Sequence, residues 1–312
     1  MQTTASRNAL YSDHVRRFIF ENRPVRGQWV RLEAAWRDLR AHNNYPPQVN
    51  ELLGETVAAA VLLAATLKFR GTLTLQLQGN GPVSLLVAQC THDFRLRAVA
   101  RYDEAAVGAA SLQGAPGLFR RLTGSDGRVT VTVEADEKSL RYQGVVPIAG
   151  DSLAQSLEAY FANSEQLPTR VLLAASDTHC AGLLVQKLPG AQGQDEEEAV
   201  PAWEEAQRGM ERLSAPQLLT QSVEEVLAAD FLGHDLRLFR GVPVSFECRC
   251  SPQRVAGVLR SLGSGDIRDL LKEQGSVTVT CEFCQRPYRF DSIDIEALFS
   301  DAPPPGDTPT VQ

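Results

Sequence analysis

The sequence predicts an α+β protein: an N-terminal, mostly antiparallel sheet packed with helices, a helical linker, and a small C-terminal four-cysteine zinc domain. Three observations carry that prediction. Short strand-like runs separated by turn clusters dominate the first 188 residues, the composition then shifts to acid and alanine, and the last quarter holds two tight cysteine pairs. Many short strands with a few helices define the α+β class.

In chain order, residues 15–20 and 28–32 read as strands around a turn at 22–27. A short helix through Trp36 and Leu39 precedes the break at Pro46-Pro47. From 48 to 68, Val49, Leu52, Leu53, Val57, Ala60, Val61, Ala64 and Leu67 recur at helical spacing, and the alanine-rich face suits close packing beneath a sheet. Strands are expected at 73–78, 83–89, 95–101, 128–134 and 141–147. Val129–Val133 alternates with threonine, as a half-buried antiparallel strand does. Asp151-Ser152 offers an N-cap for a helix through Leu153, Leu157, Tyr160 and Phe161, and the apolar runs 171–175 and 181–187 are expected to complete the sheet. Residues 1–188 thus form the core domain.

The linker spans 189–233. Pro189-Gly190 ends the core domain, and residues 192–207, with Asp195-Glu196-Glu197-Glu198, read as a solvated connector. Beyond it Leu218, Leu219, Val223, Val226, Leu227 and Phe231 share a helical stripe. The stripe fits a plain packed helix or a weakly docked helix that hides an apolar surface. The terminal domain, 234–300, contains helix candidates at 252–262 and 267–273 and a strand at 277–280. The Pro-, Asp- and Thr-rich tail at 301–312 is expected to be disordered.

Four of the six cysteines form Cys248-Arg249-Cys250 and Cys281-Glu282-Phe283-Cys284. Two sulfurs one or two residues apart can aim at one point, and a second pair completes a tetrahedron around a soft divalent metal at about 2.3 Å per bond. One Zn2+ per chain, held by Cys248, Cys250, Cys281 and Cys284, is the expectation, with no position left open for a substrate. Cys90 and Cys180 lack close cysteine neighbours and read as small buried or half-buried residues.

The rest of the composition narrows the function. The 312-residue chain has ordinary apolar and charged shares, 43% and 22%, so two globular domains are expected. A formal charge of -7 argues against generic attraction to nucleic acid or anionic membrane. No apolar run is read as long enough to span a membrane, and residues 1–7 lack the apolar core of a secretory signal. A cytoplasmic address follows as an expectation, and close cysteine pairs in a reducing compartment point to metal or redox chemistry. There is no phosphate-binding loop, dinucleotide fingerprint, zinc-protease helix or serine nucleophile elbow.

C-x-C followed after about thirty residues by C-x-x-C, behind an α+β domain, resembles the 33-kilodalton heat-shock protein family of redox-regulated holdase chaperones. The segments 81–88, 144–148 and 160–170 are similar to that family as well. The resemblance implies a zinc-bound, inactive reduced form. Oxidation by peroxide with mild unfolding, or by hypochlorous acid, would form Cys248–Cys250 and Cys281–Cys284 disulfides and release the metal. It implies an active homodimer that binds unfolding client proteins without ATP and passes them to ATP-dependent foldases, so no enzyme activity is expected.

The residues support such a switch on their own. A sixty-residue module is marginal by burial alone, whereas structural zinc contributes about 10–16 kcal/mol in small modules. Loss of the metal is expected to unfold the terminal domain and free the stripe for clients. Two other readings stay open. Arg249, Arg254, Arg260, Arg268, Lys272, Arg286 and Arg289 allow a nucleic-acid-binding zinc module, although neighbouring acids offset them. The C-x-x-C pair alternatively suits a thiol-disulfide oxidoreductase, a motif that ordinarily precedes a helix.

Overall fold

The computed structural model describes residues 13–110, 117–135, 141–189, 196–231 and 235–300. The tail at 301–312 and the first part of the connector, 190–195, lie outside these residues. The chain divides into two compact units, Met1–Glu247 and Cys248–Gln312.

In the first unit, β1 (His14–Phe20) and β2 (Val25–Leu32) form the expected hairpin, with Phe18 opposite Gly27. A Cβ at position 27 would stand 2.0 Å from Cζ of the Phe18 ring, so only glycine lets that ring lie across the neighbouring strand. Helix α1 (Ala34–Arg40) is secured from outside: the Asp13 carboxylate accepts the N–H groups of Glu33, Ala34 and Ala35. Helix α2 (Pro47–Thr66) opens on its proline and buries Val49, Leu53, Val57, Val61 and the alanines among them. Its 20 residues are long and apolar enough to cross a membrane, contrary to the expectation that no apolar run reaches that length. In the fold, 78% of its most apolar window is buried.

The strands β3 (Gly71–Gln78), β4 (Val83–Thr91) and β5 (Arg95–Tyr102) follow as expected. Two short helices, α3 (Glu104–Ala110) and α4 (Leu118–Thr123), occupy a stretch for which the sequence suggested no element. Then come β6 (Arg128–Ala135), β7 (Arg141–Pro147), α5 (Leu153–Tyr160), β8 (Thr169–Ala175) and β9 (Cys180–Lys187). Ser152 caps α5, accepting from Gln155 N–H. The centre of β6 is buried on both faces, Thr130 and Thr132 included, rather than half-buried.

These strands do not complete one sheet. β1, β2, β9 and β8 lie in one, in that order from the β1 side, and β5, β4, β3, β6 and β7 lie in another. Helix α2 packs between them, against β2, β8 and β9 of the first and β3, β4 and β5 of the second. That placement explains why nearly every face of α2 is apolar. The first sheet is covered on its other face too: Val30 and Leu184 point toward α2, while Trp29, Leu183 and Val185 point away into a second apolar cluster.

The second cluster is closed by three helices. Residues 196–207, read from sequence as solvated connector, belong to α6 (Glu196–Arg212), where Ala202, Ala206 and Met210 repeat every fourth residue against the sheet. The periodic signal is weak because two of its three apolar members are alanines and charged residues, Glu204 and Arg208, lie between them. The stripe is split between α7 (Ala215–Thr220) and α8 (Val223–Asp230), each opened by a capping box at Ser214/Gln217 and Ser222/Glu225. Leu218, Val223, Val226, Leu227 and Phe231 are buried and Leu219 partly so, all in the cluster that contains Phe18, Phe20 and Trp29.

The boundary near His234 also moves. β10 (Leu236–Leu238) and β11 (Val242–Pro243) pair with β1, and β12 (Ser245–Phe246) runs parallel beside β5, so this stretch belongs to the first unit.

The second unit holds α9 (Pro252–Leu262), α10 (Ser264–Gln274), the hairpin β13 (Val277–Thr280) and β14 (Pro287–Phe290), and α11 (Ser292–Ser300). Its core is small: Val255, Leu259, Ile267, Val277, Tyr288, Phe290, Ile295 and Leu298.

A candidate four-cysteine metal centre

The C-x-x-C pair sits at the tip of the β13–β14 hairpin, immediately after Thr280 pairs with Pro287. Gln285 N–H donates to the Cys281 carbonyl, and Cys281 N–H donates to the Arg286 carbonyl, which folds the connection tightly. Gln285 takes the left-handed conformation that the reversal needs. The C-x-C pair precedes α9, whose start is fixed by Pro252 at its first turn and by the Ser251 side chain accepting Arg254 N–H. Arg254 also donates from its guanidinium to the Arg249 carbonyl between the two cysteines.

These two anchors bring the four sulfurs together. All lie within 4.8 Å of one another, with Cys248 and Cys281 3.7 Å apart and Cys250 and Cys284 3.4 Å apart. A tetrahedron with metal–sulfur bonds of about 2.3 Å has edges of about 3.8 Å. The donor set therefore fits a closed four-thiolate site for a soft cation. Among the described residues no other group of His, Cys, Asp or Glu could hold a metal ion.

Charge is shared unevenly among the sulfurs. Burial opposes ionisation of Cys250, but hydrogen bonds from Tyr288 and the neighbouring sulfurs outweigh it and bring its pKa down to about 7. Burial, reinforced by the sulfurs of Cys250 and Cys248, pushes Cys284 up to about 12. Burial likewise raises Cys248. A bound cation reverses this order, because each ligand must give up its proton. Tyr288 Oη donates to Cys250 Sγ at 3.0 Å, a supporting contact that the cysteine spacing did not reveal. Such partners typically matter about 10–100-fold for metal affinity. Tyr288→Phe is accordingly expected to keep one metal per chain while losing about 10-fold in affinity, read by competition with a chromophoric chelator.

The remaining thiols are placed elsewhere. Cys90 and Cys180 are fully enclosed in the core around α2, and burial raises the pKa of both. His179, next to Cys180 in sequence, directs Nδ1 to Thr178 and Nε2 toward Glu33. The 160–170 segment is a structural turn: a π-helical stretch, Phe161–Glu165, then Gln166 in the left-handed region.

The fold alone does not set the class of protein; comparison with known proteins does, and it points to chaperones. The chain is 39% identical over 293 residues to a 33 kDa chaperonin of Chromobacterium violaceum, covering 94% of this chain and 95% of that protein. It is 40% identical over 301 residues to a 33 kDa chaperonin of Pseudomonas paraeruginosa, covering 96% and 99%. A sequence model described as Hsp33 protein matches residues 13–291, and the chain belongs to the Hsp33 family. The crystal structure of a 33 kDa chaperonin from Thermotoga maritima shares the fold, with a TM-score of 0.75 at 22% identity over 92% of this chain and 97% of that one.

Proposed function

We propose that the protein is a redox-regulated, ATP-independent holdase whose reduced form carries one zinc ion on Cys248, Cys250, Cys281 and Cys284. The observation that carries this reading is the convergence of four sulfurs in a unit with only a small apolar core. A tetrahedral four-thiolate donor set suits zinc, and four thiolates leave it no open coordination position. The same thiolates are nucleophiles toward oxidants. Two of them, giving two electrons to peroxide or hypochlorous acid, become one disulfide, while the oxidant leaves as water or as chloride and water. Two such events would consume all four thiolates and leave no residue of this set able to hold a metal.

Which sulfurs join decides the outcome. A cross-pair bond, such as Cys250–Cys284 or Cys248–Cys281, would staple the hairpin to the start of α9. Cys248–Cys250 and Cys281–Cys284 close very short loops and constrain little else. The proposed unfolding of the second unit follows from the within-pair arrangement, which is the one the family resemblance implies.

The proposed client surface is the apolar stripe Leu218, Leu219, Val223, Val226, Leu227 and Phe231, with the sheet face that α6–α8 cover. Its docking is imperfect in a way that supports a removable cover. Of five buried side-chain polar atoms without a partner among the described residues, four belong to this layer: Trp29 Nε1, Arg31 Nε, Gln221 Oε1 and Asp230 Oδ2. Each such atom costs about 1–3 kcal/mol. Arg31 donates to the Gln221 carbonyl, yet its guanidinium is otherwise held over the Trp29 ring.

Homodimerisation of the active form, transfer of clients to ATP-dependent foldases, and a cytoplasmic address complete the proposal. Several cations of the second unit are already engaged, Arg268 by Glu296 at 2.9 Å and Lys272 by Asp269 at 2.8 Å, which weighs against a nucleic-acid surface. The C-x-x-C pair caps a hairpin instead of opening a helix, which weighs against an oxidoreductase. The test compares reduced, metal-loaded protein with peroxide-treated protein for suppression of thermal aggregation of a client, alongside zinc release and disulfide mapping. Protection only after oxidation, with within-pair disulfides and about one zinc released per chain, is the expected result. Equal protection by both forms, or cross-pair disulfides in the active form, would overturn it.

A further inference from the structure

The edge of a β-sheet is a row of unpaired N–H and C=O groups, and folded proteins shorten or guard such edges. In the first unit β10, β11 and β12 do so by length, at two or three residues each. At the β8 edge of the first sheet, the outward N–H of Val171 is taken by the Glu158 carboxylate at 2.9 Å. β7 differs. It ends the second sheet with seven residues, and no described strand pairs with its outer side.

The register of β7 fixes which groups it leaves open. Ile148 N–H donates to the Gly127 carbonyl at 2.9 Å, one residue beyond the Arg128–Pro147 pair. Antiparallel bonding alternates along a strand, so Val146, Gly144 and Tyr142 bond to β6. Gln143, Val145 and Pro147 therefore turn their backbone groups outward. Pro147 has no N–H to leave unpaired, which suits an open edge. The N–H groups of Gln143 and Val145 meet no acceptor among the described residues. Both residues are exposed, Val145 by 52%, and Tyr142 beside them is exposed as well. The open edge thus carries apolar side chains on both faces of its strand.

We propose that the outer edge of β7 captures an extended segment of an unfolding polypeptide, which adds a strand to the second sheet. An extended chain repeats N–H and C=O groups at the spacing that Gln143 and Val145 present. That the chain is an unfolding one rests on the holdase reading above. Backbone pairing reads no particular sequence, as a protein with varied clients requires. A second copy of this chain fits the edge less well. Seven residues make a strip about 23 Å long and one strand wide, short of the about 1,000 Å² that a lasting interface buries. So short an edge suits brief capture, and lasting protection still awaits the stripe. The helices α6–α8 pack on the first sheet, so the edge of β7 is open without their lifting.

The test adds reduced, carboxymethylated α-lactalbumin, a permanently unfolded chain, to the full-length, reduced, metal-loaded protein and follows amide exchange by NMR. Exchange at Gln143 and Val145, fast in the free protein, is expected to slow, while Tyr142, Gly144 and Val146 are slow throughout. Val145→Pro removes an outward N–H without breaking a bond to β6, and it should weaken binding about 2–10-fold, the worth of one hydrogen bond. Val145→Ala keeps that N–H and should bind as the unaltered protein does. Exchange in the unaltered protein decides the matter should the proline variant fail to fold. No binding, binding that leaves Gln143 and Val145 fast, or equal losses in the two variants each overturns the proposal. So does slowing that rises with protein concentration alone, which assigns the edge to a second copy. Client protection by oxidised protein, measured in parallel, separates the two readings. Protection without slowing at β7 removes the capture and leaves the holdase, and slowing without protection does the reverse.

Discussion

Cys284→Ser is expected to leave the protein unable to retain its metal and to unfold the second unit while the first stays intact. Cys284 is the most enclosed of the four cysteines, at 8% exposure, so a serine there has no route to a substitute ligand from solvent without opening the core. If four thiolates share the about 10–16 kcal/mol of a structural zinc site evenly, losing one removes about 2.5–4 kcal/mol, or about 100–1,000-fold in affinity. That loss falls on a module whose whole core is eight buried side chains. A typical domain has only about 5–15 kcal/mol of net stability to draw on. Metal content after dialysis against a chelator, with hydrogen exchange over 248–300, measures the effect. A variant that loses its metal but keeps slow exchange across α9–α11 would show that the core holds this unit by itself.

Val226→Asp is expected to release α6–α8 while the metal stays bound. Val226 is wholly buried in the cluster between the first sheet and the linker helices. A carboxylate there would have no partner, and an unpaired buried charge costs several kcal/mol. The layer already contains four orphaned polar atoms, so it has little reserve to absorb that cost. Faster hydrogen exchange over 196–231, stronger binding of an apolar dye, and client protection under reducing conditions are the expected readouts. If the helices are released and clients still aggregate, the stripe and the sheet beneath it are not where clients bind.

Much of this arrangement is legible in the sequence because its signals are local. The α2 periodicity, the strand-like runs between turn clusters and the cap at Ser152 each follow from a few neighbouring residues. The four-cysteine cluster is legible for the same reason, as C-x-C and C-x-x-C state their geometry in their spacing. What was hidden depends on partners far away in the chain. The division of the strands into two sheets is set by which faces α2 can cover, and no single strand encodes it. Helix α6 uses alanines and a methionine as its apolar face, a pattern that resembles a solvated connector until Trp29 and Phe231 are placed beside it. Gly209 marks that meeting, since a Cβ there would lie 2.7 Å from both the Phe231 ring and the Asp230 carbonyl. The strands β10–β12 are two or three residues long, too short for any periodic signal, and their pairing moved the boundary between units. Tyr288 looked like an ordinary strand residue because its hydroxyl matters only through a sulfur 38 positions away.

The short strands after α8 have a mechanical consequence. β9 carries the chain into the linker helices, and β10 receives it again on the far side of β1, so α6–α8 form a flap moored at both ends to the same sheet. A flap tied this way cannot diffuse off when it lifts. It remains at high effective concentration above the surface it left, and the closure entropy of its loop grows only slowly with length. On the proposed mechanism, lifting would be intrinsically reversible, because any client on the uncovered sheet would compete continuously with the tethered cover.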